Sequence, residues 1–206
     1  MLEEALASGL DALHLPLDSE AQQKLLDYLA LIEKWNRVYN LTAVREPRHM
    51  LTQHVLDSLA VAPHVAGRSL VDVGSGAGLP GIPLALALPR THVTLVESSH
   101  KKSTFLNQAL IELDLKNVEV VNARVESWDT PARFEVVISR ALSDLAEFVR
   151  LAGHVCAKEG VLAAMKGVYP FDELAQLPDG YRLNKVIPLA VPGVAAERHL
   201  VLVEPA

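Results

Sequence analysis

At 206 residues and 50% hydrophobic, the chain can bury one substantial core but is short for two independent catalytic domains. Its formal net charge of -6 argues against an indiscriminate nucleic-acid binder, whose affinity would rest on overall basicity. The single cysteine, Cys156, excludes an internal disulfide and a cysteine-based zinc site, and no metal is expected.

The opening residues MLEEALASGL carry two acids and no base, unlike a signal peptide, and no apolar run reaches membrane-spanning length. A soluble, cytoplasmic protein that does not engage a membrane is expected. Residues 1–66 read as a helical cap and 67–206 as the remaining unit, the two forming one integrated body. Within SEAQQKLLDYLALIEKWNRVYN, Leu25, Leu29, Ile32 and Trp35 or Asn36 recur at helical spacing, with Ser19 as the cap. A second helix from Pro47 lays Leu51, Val55, Leu59 and Ala62 along one face and ends at Pro63 and Gly67. His54 and Asp57, three residues apart on it, read as a local surface contact rather than a catalytic dyad.

From Leu70 short apolar runs alternate with helical segments, the pattern of a mostly parallel sheet covered on both faces. Strands are predicted at SLVDVG, HVTLVES, VEVVNAR, FEVVISR and GVLAAMKG, with helices at about 79–88, 100–113 and 143–156 between them. Cys156 then falls in a helix as a small buried residue. The tail runs YRLNKVIPLAVP and ERHLVLVEP are joined by too few residues for a parallel crossover, so they predict an antiparallel pair at the edge of a seven-stranded α/β sheet.

The glycine-rich stretch LVDVGSGAGLPGIPLALALP, residues 70–89, lies between the first strand and the first helix of that sheet, where a doubly wound fold holds its cofactor. Two frames compete. Gly74, Gly76 and Gly78 form G-x-G-x-G directly after the strand; Gly76, Gly78 and Gly81 form the dinucleotide fingerprint G-x-G-x-x-G, two residues further on. Register favours the first. Asp72 beside the turn suits a cationic cofactor such as the sulfonium of S-adenosylmethionine and would repel a pyrophosphate. Glu97, ending the second strand, is placed to accept hydrogen bonds from the hydroxyls of an adenosine ribose. Tyr181 and Lys185 match the Y-x-x-x-K spacing of short-chain dehydrogenases, but a strand context would hold them on the order of 13 Å apart, so the match is a coincidence.

Asp72 to Pro83, DVGSGAGLPGIP, resembles the cofactor motif of the small-subunit rRNA methyltransferase G family, GidB. The likeness continues through WNRVYNLTAVRE (35–46), HVLDSL (54–59), FEVVISRAL (134–142) and MKG (165–167). The resemblance implies a class I, Rossmann-like fold and a bacterial enzyme moving a methyl group from S-adenosylmethionine to N7 of one guanosine in the decoding-region loop of 16S rRNA. It carries cofactor contacts onto Gly74, Leu79, Val125, Glu126 and Arg140. The acceptor would be 16S rRNA in the small ribosomal subunit or an assembly intermediate, and the enzyme a monomer.

Other methyl acceptors fit less well. The position after the fourth strand reads SRALSD, without the proline and aromatic of amine methyltransferases, and Cys156 is too far from the loops to attack a pyrimidine. Guanine N7 already presents a lone pair, so no general base is required and no catalytic residue is assigned; Arg140 would grip a phosphate, a base edge or the cofactor carboxylate. Between residues 34 and 50, Lys34, Arg37, Arg45 and Arg48 oppose Glu46 alone, a local net charge of +3 suited to phosphates. Lys101, Lys102, Arg124 and Lys166 could extend that surface. Trp35 and Tyr39 could stack on a base or pack in the cap. A nicotinamide-dependent oxidoreductase and a noncatalytic ribosome-binding module are the competing readings.

Overall fold

The computed structural model describes residues 1–65, 67–140 and 144–206. The cap opens with α1 (Leu2–Ala12) and α2 (Ser19–Tyr39). Asp18, not Ser19, caps α2: its extended backbone lets the carboxylate accept from Ala21 N at 2.8 Å, leaving Ser19 as the first helical residue. Asn40, left-handed at φ 49°, stops the helix.

The second cap helix is less regular than its periodicity predicts. It starts as α3 (Pro47–Met50), capped by the Glu46 carboxylate on His49 N, loosens into a π-helical turn over Leu51–Leu56, and tightens again as α4 (Asp57–Leu59). The amide of Asp57 reaches back five residues to the Thr52 carbonyl. The expected apolar face nonetheless forms, with Leu51, Val55, Leu59 and Ala62 all buried.

The sheet contains β1 (Ser69–Val73), β2 (His92–Val96), β3 (Val118–Val121), β4 (Phe134–Arg140), β5 (Cys156–Lys166), β6 (Tyr181–Pro188) and β7 (His199–Pro205), in the order β3-β2-β1-β4-β5-β7-β6. The first five strands run parallel, and β7 is antiparallel to both β5 and β6. Tyr181 and Lys185 lie on β6, a strand, as their sequence context indicates. Between the strands come α5 (Gly81–Ala87), α6 (His100–Glu112), α7 (Leu145–Ala152) and the short α8 (Phe171–Leu174).

Cys156 corrects the helix expected over 143–156. The helix stops at Ala152, a 3-10 turn over Gly153–Val155 follows, and Cys156 begins β5 opposite Phe134. The thiol is buried all the same, and burial pushes its pKa up to about 11.

Two cores flank the sheet because side chains alternate along each strand. Leu70, Leu95, Val136 and Ile138 pack with the cap residues Leu25, Tyr28, Leu56 and Leu59 and with Ile82 of α5 in one continuous cluster. Val71, Val73, Val137 and Leu162 face the other way, against Phe148 and Val149 of α7. The cap therefore shares its core with the sheet, and its second helix reaches the carboxyl ends of β4 and β5.

Candidate active site

The loop after β1 is held from three sides. Gly74 N and Ser75 N donate to the Val96 carbonyl at 2.9 and 3.2 Å, and Tyr28 of α2 donates from its hydroxyl to the Ala77 carbonyl at 2.6 Å. Glu97 completes the frame: its Oε2 accepts from Gly76 N at 2.8 Å and its Oε1 from Ser99 N at 2.7 Å. Gly74, Gly76 and Gly78 adopt φ values of 71°, 60° and 92°, so the frame starting at Gly74 is the one whose backbone needs glycine. Gly81 serves packing instead, since a Cβ there would collide with Leu95 and come within 2.8 Å of Asp72 Oδ2.

Asp72 is not a charge displayed beside the turn. Strand alternation turns it to the same face as Leu70, where its side chain is fully buried and Oδ2 accepts from Gly81 N at 2.9 Å. Oδ1 has no hydrogen-bond partner among the described residues, and burial pushes the carboxyl up to about 7. Its place is beneath the loop, fastening the start of α5.

Above the carboxyl ends of β1, β2 and β3 lies a cleft of about 190 Å³, lined by Gly74, Ser98, Arg124, Val125 and Glu126 among others. Val125 and Glu126 sit in a 3-10 turn after β3, with Val125 buried and Glu126 paired with Arg124 at 3.7 Å. The lining suits an adenosine-bearing cofactor, with the bent backbone of Gly74 and the apolar Val125; Glu97 is buried behind the loop, its two oxygens already on Gly76 N and Ser99 N, each with a lone pair to spare. The Leu79 side chain is buried in the core and does not line the cleft.

Arg140, at the end of β4, lies instead on a second cavity of about 430 Å³ together with Gln53, His54, Asp57, Lys166 and Arg198. Asp57 organises this wall. Its Oδ1 accepts from Arg198 Nε at 2.9 Å, and its Oδ2 lies 3.5 Å from Arg140 Nη1, which also donates to the Gln53 carbonyl at 3.0 Å. The acid is 5% exposed and its partners 23% and 26%, so one buried negative charge holds two partly desolvated cations.

The surface contact expected of His54 and Asp57 is therefore not what forms. Both are buried, and they face different partners, His54 within the π turn and Asp57 at its end. His54 Nε2 lies 2.8 Å from Thr42 Oγ1, while Nδ1 is buried without a partner among the described residues. Burial, followed by the charge of Arg140, lowers its pKa from the usual histidine value and so favours the neutral ring. Arg198 and the role of Asp57 escape a reading by periodicity. The available signal is an acid inside the apolar run VLDSLAVA, a charge that burial obliges to find a cation.

The remaining basic candidates divide. Arg124 rims the cleft, and Lys166 lines the second cavity while pairing with Glu173 at 2.7 Å. Arg37 reaches Glu33 at 3.5 Å and Arg45 reaches Asn40 Oδ1 at 3.2 Å; Lys34, Arg48 and Lys101 are exposed and Lys102 is half-buried. Trp35 stacks on Tyr39 at 5.2 Å and meets Phe105 edge-on at 5.7 Å, which makes it part of the cap's packing. In the segment SRALSD, residues 141–143 lie outside the described residues, as does residue 66 at the end of the cap.

The strand order, the antiparallel β7 and the glycine loop define a class I methyltransferase fold. Solved structures that share it include a ribosomal protein L11 methylase from Lactobacillus delbrueckii subsp. bulgaricus (TM-score 0.56, 13% identity, 73% of this chain and 76% of that one). A SAM dependent methyltransferase from Aquifex aeolicus shares it too (TM-score 0.58, 17% identity, 75% and 92%). Residues 21–201 match the family model for rRNA small subunit methyltransferase G, and the chain belongs to that family, GidB. Ribosomal RNA small subunit methyltransferase G of Nitrosospira multiformis is 58% identical over 97% of this chain and 95% of the relative. The protein of that name from Laribacter hongkongensis is 56% identical, covering 97% of each.

Proposed function

We propose that this protein transfers a methyl group from S-adenosylmethionine to N7 of a guanosine in the decoding-region loop of 16S rRNA. The observation that carries the reading is the pairing of two sites at one sheet edge: a glycine-loop cleft and, beside it, a cavity walled by Arg140 and Arg198. Membership of the GidB family supports it, and neither competing reading, oxidoreductase or inert ribosome-binding module, has any such support.

When bound, S-adenosylmethionine supplies a methyl group on a sulfonium, which the N7 lone pair can accept without losing a proton. The chain's part is then to bind, align and exclude water. Gly74 and Gly76 let backbone approach the cofactor, Glu97 accepts from its ribose hydroxyls, and Val125 and Glu126 border its adenine. Arg140 and Arg198 hold the RNA at the second cavity by phosphate or base edge. His54 lines the second cavity, but no base is needed, because N7 loses no proton on methylation, and none is assigned. The enzyme acts as a cytoplasmic monomer on the small subunit or an assembly intermediate.

The test is transfer of labelled methyl from S-adenosylmethionine to small subunits from cells lacking the gene, with the product nucleoside identified by mass. Recovery of 7-methylguanosine supports the reading. Cofactor binding without label in the subunits overturns the assignment of the acceptor.

A further inference from the structure

Next to the second cavity, the chain leaving β5 displays apolar surface that packing does not explain. Val168 is 72% exposed and Phe171 75% exposed, although most large apolar side chains are buried. Single exposed apolar residues are ordinary on protein surfaces. Phe171 differs in being braced, with Val168 three residues before it. The Phe171 ring packs on Tyr169 at a centroid distance of 4.3 Å, and Tyr169 meets His199 edge-on at 5.6 Å. His199 is in turn fixed by its Nδ1, 2.7 Å from the Gly167 carbonyl. Two residues beyond Phe171, Glu173 joins Lys166 at 2.7 Å and accepts from Leu145 N at 2.6 Å, tying α8 to β5 and α7.

The row of rings is joined through His199 and Gly167 to the cavity that holds the arginines. Gly167, Lys166 and Arg198 line that cavity, and Val168 and His199 are their chain neighbours. An open aromatic face beside cationic side chains is the combination that unpaired nucleic acid engages, the bases stacking while the charges take phosphates.

The chemistry of the acceptor says why such a face is useful. Guanine N7 lies on the major-groove edge, which is deep and narrow in A-form RNA, so the target guanosine must be unpaired or extruded to reach an enclosed site. Its neighbour then loses a stacking partner. We infer that Phe171, steadied by Tyr169 and flanked by Val168, stacks on the nucleotide adjacent to the methylated guanosine and so helps hold the RNA with its target base at the cavity. This inference rests on the proposed rRNA methyltransferase activity and adds to it a recognition residue outside both cavities.

Phe171 is exposed, so its replacement leaves the fold intact. With undermethylated small subunits as substrate, Phe171→Ala should raise KM roughly tenfold. The affinity for S-adenosylmethionine and the salt dependence of RNA binding should stay as in the parent chain, because no phosphate contact is removed. Phe171→Trp should restore KM. An unchanged KM in Phe171→Ala, in a parent chain that methylates the subunits, overturns this inference and leaves the proposed function standing. A concentration-dependent dimer that Phe171→Ala dissolves, measured by sedimentation, also overturns it, by assigning the rings to a second copy of the chain. Failure of the parent chain to methylate the subunits at all overturns the underlying function.

Discussion

The Tyr28 hydroxyl donates to the Ala77 carbonyl at 2.6 Å, across 49 residues of sequence, and so fastens the cap to the middle of the glycine loop. Tyr28 is fully buried, and burial raises its pKa well above the usual phenol value, which keeps it a donor throughout the physiological range. Tyr28→Phe keeps the ring and orphans one buried carbonyl. Stability should fall by about 1–3 kcal/mol, and S-adenosylmethionine affinity should fall several-fold as the loop loosens. Titration calorimetry checks the second effect; unchanged affinity would show that the loop holds its shape without the cap.

Asp57 carries the Arg140 and Arg198 pair, so its removal leaves two cations facing each other with no anion between them. Asp57→Ala should cost about 3–5 kcal/mol in urea unfolding. Adding Arg198→Ala should recover part of that loss, giving a coupling energy of at least ~1 kcal/mol in a double-mutant cycle. Arg198→Ala alone should depress methylation of subunits while cofactor affinity persists. A coupling energy near zero would mean that the two side chains meet without holding one another.

Burial raises the Asp72 carboxyl from 3.8 to about 7. Between those values the folded chain keeps a proton that the unfolded chain has released, so this residue makes stability fall as pH rises through the window. The slope is at most about 1.4 kcal/mol per pH unit. Asp72→Asn abolishes the titration and keeps an acceptor for Gly81 N. The stability of the variant relative to the parent should climb steadily from pH 4 to pH 7 in thermal unfolding; parallel curves would show that Asp72 is charged in the folded state across the whole range.

Arg45 and Arg48 occupy the basic segment between α2 and the π turn, and neither forms an ion pair with an acid among the described residues. Replacing both with Ala should weaken subunit binding and reduce its salt slope by roughly 2, one per lost phosphate contact. Cofactor affinity should not change. An unaltered slope would make this stretch a solvated face and move the phosphate contacts elsewhere, to the wall of Arg140 and Arg198 first of all.

Much of this was legible in the amino-acid order because it depends on local pattern. The alternation of short apolar runs with helical segments, the glycine loop after LVDV and the antiparallel tail each follow from spacing of two or 3.6 residues and from turn chemistry. The choice of glycine frame followed from register, with the charge of Asp72 as a second argument; the three left-handed glycines lie in that frame, while Asp72 is buried beneath the loop. The family motifs are likewise contiguous words in the chain.

What depended on the tertiary structure is where charges go. Sequence period could place Asp72 near the turn but not decide whether its carboxylate met the cleft or lay beneath it, because that depends on which face of β1 α5 covers. Nor could it pair Asp57 with Arg198, 141 residues away, or show that His54 and Asp57, in and after a π turn, would both be buried on separate partners. A buried charge is tolerable only beside its counterion. That counterion can come from any strand or helix the fold brings near, which is information that spacing along one segment does not contain.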